Sequence, residues 1–237
     1  MKALIFSAGL GTRFKPWTDK HPKALAPVNG KSLLQRNIEY LRGYGITDVV
    51  VNVHHFADQI IAALKENNGW GSNVEISDEQ DAVLETGGGL LKAKPLLEHT
   101  RFLTINADIL TDLNLHEMCR FHQSSEAVVT LAVTNRVTSR NFLFDADSRL
   151  CGWRNNATGE EKIVINAPVN FEKAYSGIAV YEPEVFQHIR QNGKFSIVET
   201  FLDIAPHQLI KGYDHSGSRW MDVGKPDSVA KAESLFN

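Results

Sequence analysis

The run KALIFSA at residues 2 to 8 is apolar almost throughout and stops at Gly9, the pattern of a buried strand. From Ser7 to Ser32 the chain then reads SAGLGTRFKPWTDKHPKALAPVNGKS, with three glycines, three prolines, four lysines and an arginine and no helical or alternating period. A strand feeding a long, bendable, cationic loop is the feature that most limits the fold, because such loops inside compact domains are as a rule functional or disordered. Two familiar phosphate loops do not fit it. Phe14 stands where GxGxxG needs its third glycine, and Pro16, Pro22 and Pro27 keep a helix from starting under a pyrophosphate. Gly30, Lys31 and Ser32 end like a Walker A loop, but Leu25 replaces its first glycine, so Ser32 is expected to cap the next helix instead. What remains is a loop in which Gly9 and Gly11 let backbone N–H groups approach an anion, Arg13 can grip phosphate bidentately and Lys23 adds a point charge.

Past the loop, strand and helix alternate. SLLQRNIEYLRGYG puts Leu33, Leu34, Asn37, Ile38 and Leu41 on one helical face and ends at glycines. ITDVVVNVHH, NVEISDE, RFLTINADIL and AVVTLAVT read as strands, and FADQIIAALKENNG, TGGGLLKAKPLLEH and LNLHEMCRFHQSSE as the helices between them. This spacing predicts an α/β fold, doubly wound around a mostly parallel sheet. From Asn135 the texture becomes β-rich: a hairpin over NFLFDADSRLCGWRN, a mobile polar loop at NNATGEEK and a strand at YSGIAVY. Helices are expected over EPEVFQHI, SIVETFLDIAPHQLI and KPDSVAKAESLF, with a strand end at RWMDVG. One domain over 1–237, carrying a small β-rich lobe, accounts for the pattern.

Composition narrows the function by exclusion. The net charge is −3 and the bases are mixed with the acids, which leaves no footprint for nucleic acid. No segment approaches a membrane span, and the N-terminus has too few apolar residues for a secretory signal, so no membrane partner and a cytoplasmic setting are expected. Cys119 and Cys151 lack a CxxC spacing and read as small buried residues. His54 and His55 are adjacent on a strand and point to opposite faces, a poor metal pair. Trp220, beside Asp222, is expected to be core or cleft wall.

The pair of segments SAGLGTRFKPWT and HPKALAPVNGKSLL resembles the signature of sugar-1-phosphate nucleotidylyltransferases, AGxGTRxxPxT and then PKxxxPV. It matches at Ala8, Gly9, Gly11, Thr12, Arg13, Pro16, Thr18, Pro22, Lys23, Pro27 and Val28, with Ser7 where the family more often has alanine. LETGGGLLKA resembles the family's base-binding turn in the form found in N-acetylmuramate-1-phosphate uridylyltransferases. NADILTD resembles NGDxxTD, with Ala107 for glycine. YSGIAVYEPEVF resembles the late sugar-side strand, and WMDVGKPDSVAKAE resembles WxDVGT, with Lys225 following the glycine. The likeness runs over essentially the whole chain.

The resemblance implies a Rossmann-like nucleotidyltransferase fold and an enzyme joining a nucleoside triphosphate to a sugar 1-phosphate with release of pyrophosphate. It implies Mg²⁺ on Asp108 and Asp222, with Arg13 and Lys23 catalytic. Nucleotide contacts are implied at Ala8, Gly9, Leu10, Gly11, Thr12, Arg13, Lys23, Glu85, Thr86, Gly87 and Gly88, and sugar contacts at Asn106, Ser176 and Gly177. Asn170, Glu172 and Lys173 align ambiguously. Residues 1 to about 134 would hold the nucleotide and about 135 to 237 the sugar. UTP with N-acetylmuramate 1-phosphate is the first expectation. GTP with mannose 1-phosphate, a thymidine nucleotide with glucose 1-phosphate, and a non-catalytic nucleotide-sugar binder stay open, as do monomer and homo-oligomer.

Overall fold

A computed structural model describes residues 1–236. The cationic loop leaves strand β1 (Lys2–Phe6) and folds into three single 3₁₀ turns and a short hairpin instead of remaining open coil. It delivers the chain to helix α1 (Leu33–Gly43), where the Ser32 hydroxyl accepts from the Gln35 N–H at 3.0 Å, the cap expected of it. The residues picked out by helical spacing, Leu33, Leu34, Asn37, Ile38 and Leu41, are all buried.

Strand β2 (Asp48–Val53), helix α2 (Ala57–Glu66), strand β3 (Asn73–Asp78) and helix α3 (Glu85–Lys92) continue the alternation. RFLTINADIL is two strands rather than one. Strand β4 (Phe102–Asn106) pairs with β1, a turn at Ala107–Asp108 breaks the line, and β5 (Ile109–Thr111) leaves the main sheet. Helix α4 (Leu115–Ser125) and strand β6 (Val129–Thr134) follow, then β7 (Arg140–Phe144), β8 (Leu150–Asn155), β9 (Glu160–Ile163) and the long β10 (Phe171–Tyr181). The polar stretch expected as a mobile loop is a tight turn between β8 and β9, with its last residues in β9. EPEVFQHI forms only a 3₁₀ turn, Pro183–Gln187, and the longer of the late helices stops early, as α5 (Ile197–Ile204). Strand β11 (Ile210–Asp214), which periodicity does not announce, pairs in parallel with β6. Strand β12 (Trp220–Asp222) pairs antiparallel with β5, and helix α6 (Ser228–Leu235) closes the described chain.

The main sheet runs β9-β8-β7-β10-β4-β1-β2-β3, with β6 and β11 on the other edge of β10. Its heart, β3-β2-β1-β4, is parallel, and β10 runs against both β4 and β6. Consecutive residues of one strand feed opposite faces. Ile5, Val51 and Ile105 pack with Ile38, Ile60 and Met118 of α1, α2 and α4, while Leu4, Val50 and Phe102 pack with Leu90 and Phe201 of α3 and α5. Sheet faces covered on both sides explain why β2 reads as a continuous apolar run. The neighbouring strands β1 and β4 are entered from opposite directions along the sheet, so a crevice opens between their carboxyl ends.

Phe201 anchors the second face: it is fully buried, 6.2 Å from the Phe142 ring centre, 5.8 Å from Tyr175 and 6.2 Å from Tyr181. Phe201→Ala is expected to lower unfolding free energy by about 3–5 kcal/mol in denaturant titration, through lost transfer energy and the cavity left behind. A loss well under about 1 kcal/mol would show that this aromatic cluster carries little of the stability.

Candidate functional site

A cleft of about 480 Å³ lies at the crevice between β1 and β4. Ala8, Gly9, Leu10, Gly11, Thr12, Arg13 and Lys23 line one side, Glu85 and Thr86 another, and Asn106 and Asp108 its floor beyond β4. Gly11 has φ +61° and lies so close to Thr18 and Lys23 that a Cβ there would come within 2.8 Å of the Thr18 methyl, so this glycine makes the turn and lets the loop pack on itself. Open space lies over Gly9, where a Cβ would meet nothing. Thr18 Oγ1 and the Phe14 N–H both donate to the Gly11 carbonyl, which fixes the loop that carries Arg13.

A buried polar pair supports the start of the loop. Asn52 Oδ1 accepts from the N–H groups of Ser7 (2.6 Å) and Ala8 (3.3 Å), and its Nδ2 donates to Glu79 Oε1 at 2.8 Å. Burial pushes the Glu79 carboxyl above the usual range, and the Asn52 hydrogen bond pulls it back in part. Both residues also line the cleft. His54 is occupied by its Nδ1 contact to the Glu79 carbonyl at 2.7 Å.

Asp222 does not line this cleft directly, although Gly224 does. It is brought to Asp108 by backbone: the β5–β12 register pairs Ile109 with Asp222, and the Val223 N–H donates to the Asp108 carbonyl at 2.8 Å. Burial raises the Asp222 carboxyl most, and the Asp108 charge raises it further, while Lys23, Arg13 and Arg136 pull it down. Lys23 Nζ forms an ion pair with Asp108 Oδ2. No cluster of three or more His, Cys, Asp or Glu side chains suited to a metal occurs among the described residues. The two mutually repelling carboxylates, Asp108 on the cleft and Asp222 beside it, fit Mg²⁺, which favours one or two carboxylates and completes its shell with water and phosphate oxygens.

Gly87 and Gly88 are not in the cleft wall. Their N–H groups donate to the Phe195 carbonyl at 3.0 and 3.3 Å, and a Cβ on either would strike Phe195 or the Gly193 carbonyl, so helix-to-loop contact uses the groups that were expected to read a base. The Thr86 hydroxyl accepts from the Ile197 N–H at 3.1 Å. Ser176 is fully buried, with its hydroxyl 2.7 Å from His215 Nε2. Gly177, at φ +75°, is buried and packs against Asn106. The Trp220 indole N–H donates to the Ser176 carbonyl at 2.9 Å, so the tryptophan braces this segment next to Asp222. Lys173 is tied to Asp214, and Glu172 to Arg154. Cys151 is buried and Cys119 only half-buried.

Sequence reading missed Asn52, Glu79, Lys194 and Gly224 in the wall. Asn52 did leave a signal, a lone amide inside VVVNV. Lys194, which reaches Glu85 at 3.6 Å from a distant loop, left none.

The nucleotidyl transferase family model matches residues 2–236, and the chain belongs to that family. An N-acetylmuramate alpha-1-phosphate uridylyltransferase of Neisseria meningitidis is 29% identical, with 99% of this chain and 98% of that protein aligned. A mannose-1-phosphate guanyltransferase of Yarrowia lipolytica is 28% identical over 100% of this chain, which spans 64% of that longer protein. The fold matches the crystal structure of HddC from Yersinia pseudotuberculosis complexed with GMP-PN at TM-score 0.77 and 23% identity, covering 100% and 99% of the two chains.

His215 makes a measurable prediction. Burial holds its imidazole down to about 4, and its Nδ1 has no partner, so protonation inside the fold would strand a charge. The unfolded imidazole takes a proton near pH 6.5, so stability is fully present above that pH and falls as the pH drops toward 4, by about 3 kcal/mol. His122 shifts in the same direction for the same reason. His215→Gln is expected to flatten the fall in Tm between pH 6.5 and 4; an unchanged slope would place the acid sensitivity elsewhere.

Proposed function

We propose that this chain joins a nucleoside triphosphate and a sugar 1-phosphate, forming a nucleotide sugar and releasing pyrophosphate, with UTP and N-acetylmuramate 1-phosphate as the substrates to test first. The observation that carries this reading is the meeting of Arg13 and Lys23 with Asp108 and Asp222 at the crevice between β1 and β4. The substrate pair rests on the Neisseria relative, aligned over nearly the full length of both chains. Guanylyl transfer to mannose 1-phosphate has its own support in the Yarrowia relative. In this reading the part before about residue 134 holds the nucleotide and the part after it the sugar.

The chemistry needs little from the protein beyond alignment. A phosphate oxygen of the sugar substrate attacks the α-phosphorus, a new P–O bond forms there, and the bond to pyrophosphate breaks. That oxygen is already ionised near neutral pH, so no general base is required. Charge is the obstacle: like charges about 4 Å apart repel by about 4 kcal/mol per pair at an effective dielectric of about 20. Arg13 and Lys23 offset the triphosphate charge, and the N–H groups around Gly9 can approach it without Cβ hindrance. Asp108 and Asp222 would hold Mg²⁺, which when bound neutralises and orients phosphate oxygens. Asn106, which lines the cleft, would hydrogen-bond the sugar in this reading.

Pyrophosphate release should be measured for four nucleoside triphosphates against a panel of sugar 1-phosphates. Release is expected with one base strongly preferred; silence across the whole panel would remove the enzyme reading. Asp108→Asn and Asp222→Asn should each cut kcat about a hundredfold or more, with folding intact by circular dichroism. Chelation of divalent ions should stop turnover and added Mg²⁺ restore it. Full activity in chelator would exclude the two acids as metal ligands.

A further inference from the structure

Two arginines lie within electrostatic reach of Asp222, yet neither forms an ion pair among the described residues. One is Arg13, which the reading above assigns to nucleotide phosphate. The other, Arg136, lies just beyond the end of β6. Strand β10 is antiparallel to β4 and to β6, so β1, β4 and β6 all point their carboxyl ends to the same edge of the sheet. In the order β1-β4-β10-β6, the strand that leads to Arg136 is three spacings from the strand that leads to Arg13, about 14 Å, with Asp108 at the end of a strand between them.

Arg136 is held in place. Its guanidinium centre lies 4.4 Å from the Trp220 ring centre, and Nη2 donates to the Tyr175 carbonyl at 2.9 Å. The Trp220 ring is itself fixed by its N–H on the Ser176 carbonyl. Stacking and one carbonyl contact use only part of a five-donor fork, and the residue remains exposed to solvent. Arg13 comes from the loop after β1, whose backbone is fixed at Gly11, so the two arginines reach toward Asp222 from separate elements. An oriented, unpaired arginine with free donors is matched to a planar or tetrahedral oxyanion.

We infer that Arg136 grips an oxyanion of the sugar substrate, either its 1-phosphate or a carboxylate carried on the sugar, from the side of the acid pair opposite Arg13. This rests on the sugar-phosphate reading given above and adds to it the residue that recognises the second substrate.

The test compares wild type, Arg136→Gln and Arg136→Lys at saturating nucleotide with two sugars that differ by one carboxylate, N-acetylmuramate 1-phosphate and N-acetylglucosamine 1-phosphate. Arg136→Gln is expected to raise KM for the sugar phosphate about tenfold or more while KM for the nucleotide stays within about twofold, and Arg136→Lys to recover part of the loss. A loss with both sugars identifies the 1-phosphate as the bound group, and a loss confined to the muramate identifies the carboxylate; either supports the inference. Unchanged sugar KM with both, or sugar and nucleotide KM rising together as a mere neutraliser of Asp222 would give, overturns it. If Arg136→Gln does not fold, the same split is read from Arg136→Lys against wild type. A wild-type enzyme inactive with every sugar phosphate fails the parent reading at the first step and this inference with it.

Discussion

Backbone pairing between β5 and β12 holds two carboxylates together against their own repulsion. Neither Asp108 nor Asp222 would choose the other as a neighbour, and burial together with the Asp108 charge raises the cost of ionising Asp222. Ladder hydrogen bonds and the Val223–Asp108 contact supply the constraint, in a small sheet separate from the main one. The rest of the site follows from that juxtaposition. Lys23 comes to Asp108 from the loop after β1, Arg13 and Arg136 come within reach of Asp222 from separate elements, and the Ser176–Gly177 segment of β10 is pressed between Trp220 and Asn106.

Strand direction does for the cleft what pairing does for the acids. Because β1, β4 and β6 end on one edge, residues far apart in the chain share a surface with no long connecting loop. The two faces of the sheet are covered by different helices, so the crevice is the remaining outlet for polar groups at the carboxyl ends of the strands. The amide of Asn52 joins β2 to the loop after β1 and carries that order into the cleft wall.

Much of this was legible in the sequence, for reasons that differ by element. Helix α1 was readable because its cap, its apolar face and its glycine stop agree with one another. The loop after β1 was readable as part of the candidate site because its density of glycine, proline and cations follows no helical or alternating period. Its internal turns were not, since Thr18 and Lys23 close on Gly11 through contacts that no local period encodes. Strand β11 escaped notice because IKGYD has neither alternation nor a long apolar run; its place comes from pairing with β6. That Gly87 and Gly88 meet Phe195 and Gly193 could not be read ahead, because a glycine that admits a ligand and a glycine that admits a neighbouring backbone look the same in one dimension. The partner of Ser176 was hidden likewise: His215 lies on a segment that carries no period of its own.

Gly87 and Gly88, near the start of α3, have one more consequence. Their bareness lets the stretch from Gly193 to Phe195 lie flush against the helix, and Lys194 in that stretch overhangs the cleft and reaches Glu85. The rim on that side is therefore borrowed from a part of the chain more than a hundred positions away. A methyl group at Gly88 would collide with the Gly193 carbonyl, so one of the two segments that build this rim would have to give way.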